Sequence, residues 1–358
     1  MTFRTLLATA ALAVLAASAA GAQDAPPRRR VFPVPFLGYT PETSLQFGLA
    51  VVGVSTPGGS GPATRPSTAL VTAVYTLKRQ YTASLYVDRW FTGDRWHVTG
   101  ETGLSRFPSL FYGIGAASTD TSESYTPQTL YLTTSAQRRL TRQVFVGAGY
   151  ALRHTRMVKT EAGGRLAPGT IPGSRGGTEA VLTVDGVWDS RDALYMTRRG
   201  GYLRLAFGVA GRALGGDHSY RRYVADVRGY RSVGHGVVVA AQAVMDATDG
   251  TVPFELLPRL GGQNVLRGYT EPRFRDGAMG AAQLEVRAPL KGIVNVVAFG
   301  GAGAAGPSVG AIPDAPLRVA GGLGLRLVLD RNAGLQLRID YAVAKGGGGL
   351  YIAAGDAF

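Results

Sequence analysis

Apolar and polar positions alternate with a period of two along most of the chain. In "GYLRLAFGVAG", Leu203, Leu205, Phe207 and Val209 point one way, while Tyr202, Arg204, Ala206 and Gly208 point the other. In "LQLRIDYAV", Leu335, Leu337, Ile339, Tyr341 and Val343 oppose Gln336, Arg338, Asp340 and Ala342. Similar stretches recur, separated by turn sets such as "LTRQ", "VGHG", "PLKG" and "DRNAG". The pattern predicts about sixteen strands, near 33–40, 44–55, 67–77, 80–90, 94–106, 128–139, 143–157, 178–189, 200–213, 219–232, 236–248, 277–290, 292–304, 316–329, 334–345 and 349–358. Helical periodicity is nearly absent after residue 22, and abundant glycine and threonine argue against it.

Alternation suits either a soluble sandwich or a membrane barrel, and the position of the small and charged residues separates them. A sandwich must fill its core with the large apolar face. A membrane barrel turns that face to lipid and can leave Gly, Ala, Ser and charge inside. Here the second face repeatedly carries glycine, alanine and single arginines, so the expected fold is all-β: a transmembrane antiparallel β-barrel of about 16 strands. The longest connections (107–127, 158–177 and 249–276) follow the fifth, seventh and eleventh strands and so share one end. Barrels place long loops outside the cell, which puts both termini in the periplasm.

Residues 1–22, "MTFRTLLATAALAVLAASAAGA", combine one basic residue, a short apolar run and a small-residue site at Ala20, Gly21 and Ala22. They read as a secretory signal peptide cut before Gln23; the run is short for a membrane helix. Residues 23–32 read as a periplasmic Pro/Arg tether, and residues 33–358 as the outer-membrane barrel domain. With no cysteine, stability after export must come from burial and backbone hydrogen bonding.

The formal charge is +14; Arg4 is the one charged residue of 1–22, leaving +13 on the remainder. The arginines are dispersed over strands rather than clustered on one face, which speaks against nucleic-acid binding. Loop and lumen arginines suit lipopolysaccharide phosphates, or an anion bias in a pore.

Several motifs carry no chemistry on inspection. "GAGAAG" at 301–306 satisfies a dinucleotide fingerprint, but Pro307, Pro313 and Pro316 forbid the helix that must follow it. The four histidines, His97, His154, His218 and His235, lack metal-ligand spacing. "GGSGP" at 58–62 is not a nucleophile elbow. Asp88 with His97 is the pair from which a hydrolase site assembled across strands would start. No cofactor and no enzymatic activity are expected.

The stretch "GGQNVLRGYTEPRFRDGAMGAAQLEVRAPL", 261–290, stands apart as a glycine-broken basic loop followed by a charged strand. Glu285 shares a strand face with Gln283 and Arg287, opposite Leu284 and Val286, and so points into the lumen. An arginine fork meeting that carboxylate would be charge-assisted. The residues alone leave open whether Arg267 does so or merely solvates a surface loop.

This stretch resembles the BamA/TamA family of outer-membrane assembly barrels, also called the bacterial surface antigen family. The likeness extends to "GYTPETSLQFG", "FYGIGAAS", "WDSRDALYMTRRGGYLRLAF" and "AGGLGLRLVL…LQLRIDYAV…LYIAAGDAF", and covers about Val31 to Phe358. It implies that the long extracellular loop folds into the lumen with the tip Leu266, Arg267, Gly268 and Tyr269, and that Glu285 is one of the acidic anchors of Arg267. It further implies that the last strand, with Leu350, Ile352 and Phe358 alternating on one face, serves as an assembly signal recognised by strand addition. Asp356 falls on that face too and is expected at the periplasmic interface.

Two departures qualify the resemblance. The family pattern Phe-x-Asp-x-Gly is replaced by Phe299, Gly300, Gly301, Ala302 and Gly303, so a second carboxylate is expected to be missing and Arg267 to depend more heavily on Glu285. No periplasmic polypeptide-transport domains are expected before the barrel, which implies a separate periplasmic partner protein contacting Pro26, Pro27 and Arg28 to Arg30. The implied function is assistance to insertion of client outer-membrane proteins, or translocation of polypeptide or lipid. The alternative is a passive channel or structural outer-membrane barrel.

Overall fold

The computed structural model describes residues 29–40, 44–55, 65, 67–270, 273–330 and 335–358. It is built almost wholly of antiparallel strands, each wall strand pairing with the next wall strand along the chain. These are β1 (Arg29–Thr40), β2 (Ser44–Ser55), β3 (Ser67–Thr76), β4 (Tyr81–Trp90), β5 (Trp96–Arg106), a short β6 (Ser109–Phe111), β7 (Glu123–Arg139), β8 (Val144–Thr160), β9 (Gly176–Asp189) and β10 (Gly200–Ala210). They continue as β11 (Tyr220–Gly234), β12 (Val237–Gly250), two-residue β13 (Arg259–Leu260) and β14 (Phe274–Arg275), β15 (Ala278–Lys291), β16 (Val294–Gly306), β17 (Arg318–Asp330), β18 (Leu335–Ala344) and β19 (Gly347–Ala354). Leaving out β6, β13 and β14, the barrel wall has sixteen strands, the even number that up-and-down membrane barrels adopt.

The alternation sorts residues as a membrane barrel requires. On β15, Leu284 and Val286 are exposed to the outside, while Gln283, Glu285 and Arg287 are buried within. On β18, Tyr341 and Val343 face out and Gln336, Arg338, Asp340 and Ala342 face in. Burying the polar set and exposing the apolar one is the inverse of a soluble core, and only a lipid solvent makes it favourable. The "GAGAAG" segment is the end of β16.

Among the boundaries that differ from the sequence pattern, three move named residues. β1 begins at Arg29, so Arg29–Phe32 pair with residues 52–55 of β2 instead of forming a tether; Pro26, Pro27 and Arg28 lie outside the described residues. β7 begins at Glu123, because β6 pairs with its first residues inside the expected loop. β19 ends at Ala354, since Gly355 adopts φ +79 and turns the chain.

The three longest connections, β5–β7, β8–β9 and β12–β15, share one end of the barrel with the short β3–β4 and β18–β19 turns; the β4–β5, β7–β8, β9–β10, β11–β12 and β15–β16 turns lie at the other, the short-turn end. The connection 251–277 between β12 and β15 does not project outward but crosses the interior. Arg273 alone spans it: Nη2 donates to Asp120 Oδ1 at 2.7 Å, and Nη1 donates to the carbonyl of Gly346 at 3.3 Å. Asp120 belongs to the β6–β7 connection and Gly346 to the β18–β19 turn, so strands nearly half the ring apart meet at one side chain.

Candidate functional site: the lumen plug and its ionic anchor

The tip of the crossing loop is the Leu266-Arg267-Gly268-Tyr269 segment, and it touches every one of β15 to β19. Leu266, at φ +51, donates its N–H to Gln283 Oε1 on β15 at 3.3 Å. Gly268, at φ +115, donates its N–H to Tyr351 Oη on β19 at 2.9 Å. A Cβ at Gly268 would lie 3.1 Å from the Val343 carbonyl and from Ala344 Cβ, so both the backbone angle and the approach to β18 call for glycine. Tyr269 Oη donates to the Val319 carbonyl on β17 at 3.3 Å. Leu266 and Tyr269 pack with Leu260, Met279 and Ala320, a small dry cluster between loop and wall.

Arg267 is buried to 1 % exposure and meets two carboxylates that are both 0 % exposed. Nη2 pairs with Glu285 Oε1, and Nη1 pairs with Asp340 Oδ2 at 2.5 Å. Its guanidinium lies 3.6 Å from the centre of the Phe299 ring on β16, where the quadrupole of the ring adds to the attraction. A desolvated charge is tolerable only when paired, and here both terminal nitrogens are, while the buried Nε has no hydrogen-bond partner among the described residues.

The expectation of a missing second carboxylate is therefore corrected: Asp340 supplies it, from β18. Gly301 occupies the position at which the resemblance implies an aspartate. A Cβ there would lie 2.7 Å from the Ala282 carbonyl and 2.8 Å from Gln283 Cβ, so no side chain fits. On β17, a Cβ at Gly324 would lie 2.0 Å from Asp340 Oδ1. Gly324 thus makes room for the Asp340 carboxylate, and Gly301 for the neighbouring Gln283.

The anchor extends toward the short-turn end. Arg287 Nη2 lies 2.8 Å from Glu285 Oε2, and its Nη1 lies 3.0 Å from Asp356 Oδ2. Arg326 Nη1 pairs with Asp340 Oδ1 at 2.5 Å, and its Nε with Asp356 Oδ1 at 3.2 Å. Arg338 Nη2 donates to Asn264 Oδ1 in the loop at 3.2 Å. Four arginines (267, 287, 326 and 338) and three side-chain carboxylates (285, 340 and 356) make up this network.

The terminal residues depart from expectation. Leu350 is exposed on the outer face with Ile352 half-buried, but Phe358 is buried inside against Tyr230 and Ala240. Its main-chain oxygen accepts a hydrogen bond from Arg287 Nη2 at 3.2 Å. Asp356 lies in the ionic network rather than at the membrane interface. The turn at Gly355 breaks the alternation on which the outward assignment of both residues depended.

At its other end the loop is fixed by aromatic contacts. Phe254 packs edge-on to Phe111 and Tyr125, and Arg275 lies 5.4 Å from the Phe111 ring centre and 5.3 Å from that of Phe254. Arg267, Arg273 and Arg275, the three arginines of the basic loop, each have a different kind of partner: buried carboxylates, two sides of one rim, and aromatic faces.

Asp88 and His97 do meet, with Oδ1 and Nε2 2.9 Å apart. The other ring nitrogen, Nδ1, lies 3.2 Å from Gln137 Oε1, and the ring stacks on Trp90 at 3.7 Å. Both nitrogens are thus engaged with side chains that are not nucleophiles.

Asp340, Arg326, Arg338 and Asp356 were not singled out as site residues. The signal for the first three was their inward parity on β17 and β18; what the alternation does not give is which strands close around the loop.

The Omp85 superfamily domain matches residues 65–355. The chain belongs to the Omp85 superfamily. The fold of this Omp85 barrel is similar to that of BamA from Haemophilus ducreyi lacking POTRA domains 1-3, at a TM-score of 0.59 and 15% identity, covering 92% of this chain and 70% of that one. It is also similar to CdiB from Escherichia coli (TM-score 0.57, 12% identity, 93% of this chain and 63% of that chain) and to CdiB from Acinetobacter baumannii (0.56, 10%, 91% and 59%). At these identities the likeness is one of fold. The chain thus spans less than two thirds of either CdiB. No curated protein sequence matches.

Proposed function

We propose that this chain is an outer-membrane Omp85 barrel that assists insertion of other outer-membrane proteins, or passage of polypeptide or lipid, without enzymatic chemistry. The observation that carries this reading is the anchoring of the plug tip to β15 through β19, the strands that lead to the closing edge. Movement at that edge would be felt by Arg267, and the position of the plug would be felt at the edge. β19 is short, eight residues, and opens with Gly347, Gly348 and Gly349, which weaken a strand. A separate periplasmic protein is the proposed partner that delivers clients.

The test is reconstitution into lipid vesicles with a urea-unfolded barrel protein as client, following the client by its heat-modifiable mobility. Acceleration of client folding that is lost in Arg267→Ala supports the reading. A client rate equal to that of empty vesicles, together with solute flux through the barrel, would instead make it a passive channel.

A further inference from the structure

Basic side chains without a printed partner lie at both ends of the barrel, among them Arg79, Arg106, Arg156 and Lys345 at the long-loop end. At the short-turn end every described turn repeats one arrangement. Arg95 stands between exposed Phe91 and exposed Trp96 in the β4–β5 turn. Arg139 and Arg142 flank Leu140 in the β7–β8 turn, and Arg198 and Arg199 follow Tyr195 in the β9–β10 turn. Arg231 precedes Val233 at the end of β11, beside the β11–β12 turn, and Lys291, the last residue of β15, lies between Leu290 and Ile293 beside the β15–β16 turn. All these apolar side chains are exposed, and none of these seven basic side chains has a hydrogen-bond, ionic or ring partner among the described residues.

Acidic neighbours do not offset them. Within these turns, Asp94 is buried and takes up Arg65, while Asp189 takes up Arg191. Asp192 Oδ1 accepts the main-chain N–H groups of Arg198 and Arg199, leaving their guanidinium groups free. In the lumen, by contrast, arginines such as Arg222 and Arg228 are paired with Asp246 and Asp226.

An exposed apolar side chain beside an unpaired cation is the arrangement of a membrane interface, where the stem lies in hydrocarbon and the charge reaches the headgroup phosphates. We propose that this rim binds the phosphates of anionic glycerophospholipid in the inner leaflet of the membrane. A soluble acidic protein would be met by one face of the barrel. Here the motif recurs on turns spread from β4 to β16, around more than half the perimeter, at the level of the exposed Trp96 and Trp188. Lipid alone surrounds a barrel in that way.

The experiment uses the full chain in nanodiscs of phosphatidylethanolamine with a minority of phosphatidylglycerol. Native mass spectrometry then counts the phosphatidylglycerol retained on release. A rim variant carrying Arg139→Gln, Arg142→Gln, Arg198→Gln and Lys291→Gln is compared with an opposite-end variant carrying Arg79→Gln, Arg106→Gln and Arg156→Gln. Retention should fall at least about fivefold in the rim variant, the weight of one interfacial basic residue, and hold in the other. Equal retention in both, or equal loss in both, overturns the proposal. Should the rim variant fail to fold, the unaltered chain decides: high salt must strip phosphatidylglycerol from it selectively, and retention indifferent to salt overturns the proposal. Tighter binding of soluble polyglutamate than of phosphatidylglycerol vesicles would also overturn it, in favour of a protein partner.

Discussion

Arg267 Nη1 lies 2.5 Å from Asp340 Oδ2, although the two residues are 73 positions apart and come from a loop and from the next-to-last strand. Glu285 closes the same guanidinium from the other side, so the plug is held by a cation shared between two walls of one corner.

Removing either carboxylate strands a buried charge. Asp340→Ala and Glu285→Ala are each expected to cost about 3–5 kcal/mol locally, and the double change Arg267→Ala with Asp340→Ala less than the sum of the singles. Proteolysis of the 261–276 stretch in the folded barrel measures this. Glu285→Ala should expose the loop more than Arg287→Ala, because Glu285 touches the loop arginine and Arg287 does not.

Gly268→Ala should displace the tip, since the new Cβ meets the Val343 carbonyl and the backbone must hold φ +115. Gly292 offers a comparison: it has φ +62 with nothing near its Cβ. Loop proteolysis should rise strongly in Gly268→Ala, and Gly292→Ala should cost only about 1 kcal/mol of stability with the loop protected.

Asp356 does not contact the loop, yet it shares Arg287 with Glu285 and Arg326 with Asp340. Asp356→Asn should therefore raise loop proteolysis, by less than Asp340→Asn does. No change in the loop would mean that the terminal residues and the plug are independent.

Asp276, in the loop, has its carboxyl pushed above the usual range by burial, against which a hydrogen bond from the Gly277 N–H works. A raised folded value means that ionisation is disfavoured in the fold. Its contribution is most favourable below the unfolded value and is lost as pH rises through the folded one. Asp276→Asn should match the parent in acid and gain in stability relative to it toward neutral pH. Paired thermal melts in detergent across that range check the sign.

The sixteen wall strands were legible because alternation is a local property: Leu284 and Val286 against Gln283 and Glu285 can be read without a neighbour. The meeting of Arg267 with Glu285 was legible from parity together with the family resemblance. Asp340 was not, because its nearness to the loop depends on where β18 stands relative to β15, and Gly301 and Gly324 reveal their purpose only as space. Phe358 and Asp356 were misplaced because one residue, Gly355, reverses the chain where the pattern ran on unbroken.

The loop that crosses the interior is fastened at one end by Phe254 and Arg275 to the β6–β7 side, and at the other by Arg267 to the β15–β18 corner. Mechanically it is a tie rod across a hoop. Its length fixes the span between two opposite arcs, so the hoop cannot widen along that diameter while both fastenings hold. The ionic fastening sits by the closing strands and the aromatic one far from them. Release of a single arginine would therefore let the corner beside the last strand swing while the opposite arc kept its shape.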